Sequence, residues 1–304
     1  MESSMSRLER QSFLGADSEN ILRHATVGIV GAGGGGSHIV QQFAHMGIGG
    51  YVIADPDFIE DTNTNRLIGG TLDDVAVARP KIDIAARMIR GLQPDARLRL
   101  VPGKWQDAAD DFKQCDIIVG AVDSFKDREE LERFARRHLI PYVDIGMDVH
   151  AIGEAGFLVS GQIILSMPGE PCLRCCGFIT DEQLKQEAQR YGMAGSRPQV
   201  VWSNGVLAST AVAIVTQILT PWFKGPPDFV FLDYDGNRGS VTRNKRMALL
   251  RGCACTHHPM DETGDPLFDI RSQTFHPHPE APEPAGPSTP PHWWTRIWHW
   301  LWGA

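Results

Sequence analysis

The chain has 304 residues, of which 42% are hydrophobic and 22% are charged, a composition typical of a globular protein. Its formal net charge of −8 excludes the basic surface on which nucleic-acid binding depends, so we expect no nucleic-acid partner. The amino terminus has no apolar signal core, and no uninterrupted apolar run reaches the roughly 18 residues that span a bilayer, so we expect a cytoplasmic protein.

The first predicted elements are a polar helical lead-in over residues 1–25 and a βαβ unit that ends near Asp55. The apolar runs Thr26–Val30 and Tyr51–Ala54 predict its strands, and the glycine cluster Gly31–Ser37 follows the first of them. Glycines at that point let backbone N–H groups approach a phosphate beside the positive end of the next helix. This order predicts nucleotide binding, with Asp55 suited to a ribose hydroxyl.

The middle of the chain predicts the rest of a sheet. The predicted parallel strands are Leu98–Val101, Asp116–Asp123 and Pro141–Ile145. Antiparallel strands are predicted within 157–167 and 229–245. Helices are predicted to begin at Pro80, Arg128 and Gly205. The predicted fold class is therefore α/β, a Rossmann-like, doubly wound, mainly parallel sheet that continues into antiparallel strands.

Composition changes near residue 271. Residues 277–291 contain seven prolines, and the last segment contains five of the eight tryptophans. We predict a nucleotide-binding α/β domain over residues 1–270, a Pro-rich linker over 271–291 and a Trp-rich amphipathic tail over 292–304. The tail could contact a membrane surface, dock in a partner's groove or fold back on its own domain.

Four polar side chains surround the glycine loop in the predicted fold: Asn63, Arg66, Lys81 and Asp123. An amide, a guanidinium and an ammonium together offset the charge of a triphosphate, which a nicotinamide dinucleotide does not require. Asp123 ends a predicted parallel strand, where a carboxylate suits Mg²⁺. The set predicts phosphoryl or adenylyl transfer from ATP.

Two cysteine pairs predict a zinc knuckle: Cys172, Cys175, Cys253 and Cys255. Four thiolates from two such pairs form a tetrahedral Zn²⁺ site. The second pair is tighter than Cys-x-x-Cys, so His257 or His258 could replace one thiolate. The alternative is that these four cysteines are reduced thiols buried in the core. Cys115, which precedes a predicted buried strand, is interpreted as such a packing residue.

These residues resemble the ThiF/MoeB/HesA adenylyltransferases, the ubiquitin-activating-enzyme-like proteins, from about residue 7 to about residue 257. The matching motifs are Arg7–Gln11 (with Leu8 in an aromatic place), the glycines Gly31, Gly33, Gly34 and Gly36, the segment Asp55–Arg66, Lys81 and Asp123. The resemblance implies adenylation of the C-terminal Gly carboxylate of a ubiquitin-like or sulfur-carrier protein, with release of pyrophosphate.

The resemblance also implies roles for single residues. Asp55 would hold the ribose of ATP, Asp123 would hold Mg²⁺, and Arg10 would act from the partner subunit of a homodimer. The phosphates would contact the four glycines together with Asn63, Arg66 and Lys81. Many members carry a structural zinc at the place of the knuckle.

One departure concerns the thioester-forming relatives, which carry a catalytic cysteine before the late apolar helix. The segment Arg197–Gly205 has none, so the acyl group is expected to pass to a thiol on another protein. Cys176 is the nearest spare thiol and is interpreted as a structural neighbour of the knuckle. The segment Asp144–His150 resembles bacterial relatives encoded beside conjugating-enzyme-like proteins, which suggests such a partner; His150 could reach a substrate or be structural.

Two other functions compete with adenylyl transfer. One is a catalytically degenerate scaffold that binds a nucleotide without turnover, and the other is a nicotinamide-dependent oxidoreductase. The complete phosphate-contacting set disfavours both. The identity of the carrier, and the choice between conjugation and sulfur transfer, stay open.

Overall fold

The computed structural model of the protein describes residues 7–189, 198–224 and 229–272. The described residues up to Arg271 belong to one compact unit. The predicted tail and nearly all of the predicted linker lie outside the described residues, and so does Arg197. The predicted division at residue 270 therefore stays a prediction.

One eight-stranded sheet organises this unit, in the order β3-β2-β1-β4-β5-β6-β7-β8. The strands are β1 Thr26–Val30, β2 Gly50–Ala54, β3 Arg97–Val101, β4 Ile117–Gly120, β5 Tyr142–Ala151, β6 Phe157–Ser166, β7 Val230–Asp235 and β8 Ser240–Arg243. The pairs from β3 to β5 are parallel, and those from β5 to β8 are antiparallel. The predicted fold class is confirmed.

The helices lie before, between and beyond these strands. They are α1 Ser18–His24, α2 Gly34–Met46, α3 Leu72–Ala76, α4 Lys81–Leu92, α5 Ala109–Phe112, α6 Phe125–Arg137, α7 Asp181–Gln189, α8 Val201–Leu219 and α9 Arg246–Leu250. Short 3₁₀ helices include Glu9–Leu14 and Asp61–Asn63. The sequence did not predict α3, α5, α7 or α9, which are short or strongly polar.

Both faces of the parallel strands are covered by apolar packing. On one face, Val27 and Ile29 of β1 share a buried cluster with Phe43 of α2 and Leu207 of α8. On the other face, Ile118 of β4 belongs to a second cluster with residues of α5 and α6. Two-sided burial explains why β4 is apolar throughout, and it leaves the carboxyl ends of the strands as the open edge.

Helix α8 is long and apolar enough, by length and composition, to cross a membrane. Half of its apolar window is buried inside the protein, where it packs against α2 and the strands. A buried core helix passes the same test, so this helix does not indicate a membrane protein.

Candidate nucleotide-binding site and metal group

The glycine loop between β1 and α2 crosses close to the end of β4. Gly31 has φ +90°, a conformation that side chains rarely adopt, and a Cβ on it would overlap the carbonyl oxygen of Ala121. A Cβ on Gly36 would overlap the carbonyl oxygen of Gly31. Both glycines are therefore required by the packing of the loop, and a direct contact of their N–H groups with a phosphate stays a prediction.

The start of α2 is open toward the cleft. Gly33 is the N-cap residue and offers no side-chain hydrogen bond to the helix, and no atom lies within 4 Å of the place where its Cβ would be. The first N–H groups of a helix lack intrahelical partners, and the helix dipole is positive there. The first turn of α2 can therefore hold phosphate oxygens, as the glycine pattern predicts.

A small cleft of about 80 Å³ opens at this point. It brings together Gly33, Gly34, Asn63, Arg66, Lys81 and Asp123, which come from four separate parts of the predicted set. Gly31, Gly36, Asp55 and Arg10 do not line it. The spatial grouping of the amide, the two cations and the carboxylate agrees with the set expected around a triphosphate.

Short polar contacts hold the two cations at the cleft. The Nζ atom of Lys81 lies 2.7 Å from Oδ2 of Asp57, and the Lys81 side chain is only 11% exposed. The guanidinium of Arg66 donates to the carbonyl oxygen of Thr62 at 2.7 Å and to Oδ1 of Asn65 at 2.9 Å. These contacts reduce the conformational entropy that each cation loses when a ligand binds.

Asp55 supports the glycine loop directly. One carboxylate oxygen accepts the N–H of Ala32 at 2.6 Å, and the other accepts the N–H of Asp57 at 2.8 Å. Burial raises the pKa of Asp55, and the charge of Lys81 opposes that rise. Each carboxylate oxygen can still accept a second hydrogen bond. Contact between Asp55 and a ribose hydroxyl is therefore compatible with its support of the loop, and it stays a prediction.

The cleft includes residues that the sequence analysis did not select. Asn204 and Gln199 approach the glycine loop from the start of α8, and Arg128 lies at the far end with Gly146. A single Gln or Asn near the start of an apolar helix forms no sequence motif, so the sequence offered no signal for Gln199 or Asn204. Arg128 lies in α6, five residues after Asp123, whereas the sequence marked it only as the start of a helix.

Arg128 forms a buried ion pair with Asp144. The guanidinium also donates to the carbonyl oxygen of Ile145 at 3.1 Å, and the hydroxyl of Tyr142 donates to Asp144 at 2.9 Å. Burial raises the pKa of Asp144, and the charge of Arg128 opposes the effect. Removal of either partner would leave a buried charge uncompensated, so the pair anchors α6 to β5 beside the cleft.

The candidate metal-ligating side chains form a group of three cysteines and one histidine. Ligand atoms of Cys172, Cys175, Cys255 and His257 all lie within 4.8 Å of one another. The Sγ–Sγ distances are 3.6 Å for Cys172–Cys175 and 3.8 Å for Cys175–Cys255. Nδ1 of His257 lies 3.4 Å from Sγ of Cys175.

These distances fit a tetrahedral zinc ion. Zn–S bonds of about 2.3 Å and Zn–N bonds of about 2.0 Å place tetrahedral sulfurs about 3.8 Å apart, and sulfur and nitrogen about 3.5 Å apart. Cys253 lies outside the group: it is exposed, and its Sγ contacts the carbonyl oxygen of Leu249 at 3.4 Å. The geometry thus favours the alternative in which His257 replaces Cys253 among the predicted ligands.

Two further cysteines are buried thiols. Burial raises the pKa of Cys115 to about 12. Burial raises the pKa of Cys176 as well, and the side chain is 2% exposed. Since the thiolate is the nucleophilic form, both environments favour an inert thiol, in agreement with the packing role expected for them.

Arg10 and His150 lie outside the cleft. Arg10 is exposed on the 3₁₀ helix Glu9–Leu14, whereas its neighbours Arg7 and Gln11 donate to carbonyl oxygens at the end of α2. His150 lies near the end of β5, with Nε2 3.3 Å from Oδ2 of Asp148. Neither residue reaches the cleft of its own chain, so a role for either in the reaction stays a prediction.

A family model of the ThiF family matches residues 5–255 of the chain. The chain belongs to the ThiF family. The match includes the glycine loop, the residues that line the cleft and three of the four cysteine and histidine ligands, which confirms the resemblance that the motifs indicated.

Curated relatives carry different activities in their names. The chain is 32% identical over 164 residues to the SAMP-activating enzyme E1 of Haloferax volcanii, covering 53% of this chain and 57% of the relative. It is 31% identical over 143 residues to the tRNA threonylcarbamoyladenosine dehydratase of Escherichia coli, covering 43% and 50%. It is 30% identical over 175 residues to the sulfur carrier protein ThiS adenylyltransferase of Bacillus subtilis, covering 56% and 49%.

The chain thus spans about half the length of the curated relatives that it matches. Among solved structures, the fold is similar to that of E. coli MccB determined with ATP, with a TM-score of 0.64, 21% identity, and coverage of 79% of this chain and 71% of that one. At that identity the likeness establishes the fold.

Proposed function

We propose that the protein uses ATP to adenylate the C-terminal Gly carboxylate of a ubiquitin-like or sulfur-carrier protein and releases pyrophosphate. The observation that carries the proposal is the single cleft shared by the open start of α2, Asn63, Arg66, Lys81 and Asp123. Relatives with 30 to 32% identity are named as an activating enzyme and as a carrier-protein adenylyltransferase, which supports this reaction class.

In the proposed reaction, a carboxylate oxygen attacks the α-phosphorus of ATP. A P–O bond to the carboxylate forms, the bridging P–O bond to the β-phosphate breaks, and pyrophosphate leaves with that electron pair. Two anions meet in this step, so Arg66 and Lys81 lower the barrier by offsetting the developing charge, while the N–H groups at Gly34 hold phosphate oxygens.

The residues present also fit two metal ions. The exposed carboxylate of Asp123 at the end of β4 would hold Mg²⁺, which supplies charge neutralisation to the phosphates when bound. Cys172, Cys175, Cys255 and His257 would hold Zn²⁺, which stabilises the fold of the loops that carry them.

Pyrophosphate exchange tests the proposal. With ATP, labelled pyrophosphate and a purified carrier that ends in Gly-Gly, label is expected to enter ATP. Asp123→Ala should lower the exchange rate on the order of 10²-fold, the scale for one strong electrostatic group. Asp95→Ala removes an exposed carboxylate away from the cleft and serves as the matched control.

Two other outcomes separate the alternatives. ATP binding without exchange, for every carrier with a Gly-Gly terminus, would favour the degenerate scaffold. Exchange stimulated by tRNA rather than by a carrier would favour the substrate class named for the E. coli relative. The net charge of −8 disfavours the second outcome.

We further propose a homodimer in which Arg10 completes the cleft of the partner subunit. Arg10 is exposed and lies outside its own chain's cleft, which suits a residue that acts in trans. Mixing Arg10→Ala chains with Asp123→Ala chains should then restore exchange at one of two sites. A monomeric mass in solution, or no recovery on mixing, would exclude this arrangement.

The acyl-adenylate is proposed as the end product on this chain, with transfer to a conjugating-enzyme-like protein or another thiol carrier. The segment Arg197–Gly205 has no cysteine, and Cys176 is buried with a raised pKa. ATP and carrier should therefore give no reductant-sensitive adduct of this chain on a non-reducing gel. An adduct that disappears in Cys176→Ser would refute this step.

A further inference from the structure

The side-chain carboxamide of Gln199 lies between Asp123 and the first turn of α2 in the proposed phosphate site. Nε2 of Gln199 donates to Oδ1 of Asp123 at 3.3 Å. Oε1 of the same side chain lies 3.1 Å from the position that a Cβ on Gly34 would occupy, at the first residue of α2. The Gln199 side chain therefore stands between the carboxylate at the end of β4 and the amino terminus of α2.

The polarity of the amide matches both neighbours. The partly negative oxygen lies toward the positive end of α2, and the partly positive NH₂ group lies toward the carboxylate of Asp123. A donor–acceptor distance of 3.3 Å is at the long end for a hydrogen bond, so a ligand can replace this contact at small cost.

The backbone of Gln199 has a separate anchor. Its carbonyl oxygen accepts from Nδ2 of Asn65 at 3.2 Å, and α8 begins two residues later at Val201. The main chain is thus held independently of the carboxamide. Substitution of the side chain is expected to leave the start of α8 in place.

A bound triphosphate would change what the amide contacts. Phosphates at the start of α2 and a cation on Asp123 would lie on the two sides of the carboxamide. A cation on Asp123 repels the positive NH₂ group, while a phosphate oxygen accepts from it. The two charged ligands therefore drive the same rotation, away from the carboxylate and toward the phosphates.

We infer that Gln199 is a nucleotide-binding residue: it contacts the Asp123 carboxylate in the nucleotide-free cleft and donates to a phosphate oxygen once ATP is bound. The inference rests on the proposed function for the presence of a triphosphate in the cleft. It does not depend on which protein supplies the carboxylate.

Calorimetric titration with Mg·ATP and, separately, with adenosine tests this role. Gln199→Glu places a second negative charge beside Asp123, so its Kd for Mg·ATP should rise about 10- to 100-fold. Gln199→Ala removes the donor alone, so its Kd should rise about 3- to 10-fold. Adenosine carries no phosphate, so its Kd should change less than twofold in both variants.

Gln114→Glu is the matched control, because Gln114 is exposed and precedes the amino end of β4, opposite the cleft. It should bind Mg·ATP as the wild type does. Both Gln199 variants should also keep the nucleotide-free melting temperature within about 2 °C. If Gln199→Glu is too unstable to assay, Gln199→Ala provides the same comparison of the two ligands.

Unchanged Mg·ATP affinity in Gln199→Glu and Gln199→Ala would overturn the inference. Equal losses for ATP and adenosine would overturn it as well, because they would indicate a general structural defect. Wild-type protein that binds Mg·ATP but gives no pyrophosphate exchange would refute the proposed function alone, since the comparison of Gln199 variants depends only on binding.

Discussion

The carboxylate of Glu132 accepts the backbone N–H of Leu173 with both oxygens, at 2.9 and 3.2 Å. Leu173 lies between Cys172 and Cys175, so this contact ties α6 to the loop that carries two of the proposed metal-ligating cysteines. Ser166 donates to the same carboxylate at 2.5 Å, and Arg136 lies 3.7 Å away. One buried acid thus joins the metal group to the helix that follows Asp123.

Glu132→Gln is expected to lower the free energy of unfolding by about 3 kcal/mol, because it leaves the buried Arg136 without a carboxylate and supplies one acceptor instead of two. Denaturant titration measures this loss. Asp111→Asn breaks the exposed pair with Arg99 and should cost less than about 1 kcal/mol. Equal losses in the two variants would contradict the anchoring role of Glu132.

The glycine loop gives a matched pair of alanine substitutions. Gly36→Ala should lower the free energy of unfolding by about 3 kcal/mol, because the methyl group overlaps the carbonyl oxygen of Gly31. Gly33→Ala should lower it by less than about 1 kcal/mol, because open space surrounds the new methyl group and the φ of Gly33 is negative, at −78°.

The effect of Gly33→Ala on ATP affinity is expected to be larger than its effect on stability. The open space at Gly33 faces the cleft, so Gly33→Ala should weaken ATP binding at least tenfold while the protein stays folded. Calorimetry below the unfolding transition separates the two effects. Normal ATP affinity in folded Gly33→Ala would show that the first turn of α2 does not hold the phosphates.

Substitution of Cys253 distinguishes two possible zinc-ligand sets: four cysteines, or three cysteines with His257. Purified protein is expected to contain about one zinc per chain by elemental analysis. Cys172→Ser and His257→Ala should lose the metal and melt at lower temperature, because binding at a closed structural site adds to folding free energy. Cys253→Ser should keep both the zinc and the melting temperature.

If Cys253→Ser loses zinc while His257→Ala retains it, the four-cysteine set predicted from the sequence is correct. Wild-type protein without metal, in which all six thiols titrate freely under native conditions, would exclude the site altogether.

Asp74 predicts how stability depends on pH. Its carboxylate accepts from Arg87 at 2.6 and 2.8 Å and from Arg79 at 2.6 Å. Hydrogen bonds from Arg87, and smaller ones from Thr71 and Arg79, lower the pKa of Asp74 although burial opposes them. A depressed pKa in the folded state contributes stability above the unfolded pKa of about 3.9, and that contribution is lost as the pH falls toward the folded pKa.

Asp74→Asn should therefore lower the free energy of unfolding by about 2 kcal/mol between pH 5 and 7, a value reduced because both arginines are partly exposed. Below pH 4 the difference from wild type should shrink. Denaturant titrations from pH 3 to 7 measure it, with Asp95→Asn as a surface control. A difference that stays constant across that range would contradict the assignment.

Much of the fold follows from local patterns in the sequence. The apolar run that forms β4 reflects burial on both faces, and the glycines between β1 and α2 reflect close approach of the backbone within a few residues. The spacing of the motifs also predicts that Asn63, Arg66, Lys81 and Asp123 lie together, because the carboxyl ends of parallel strands meet at one edge, and all four line one cleft; their roles stay predictions.

Long-range packing decided the rest. Sequence spacing cannot show whether Cys253 or His257 points toward Cys172, since that depends on the direction of the chain after α9, some 80 residues from the first pair. Gln199 reaches Asp123 only because α8 packs against α2 and the sheet. Arg128 and Asp144 pair because α6 lies over β5. Such contacts join residues whose separation along the chain carries no periodic signal, so only the tertiary structure reveals them.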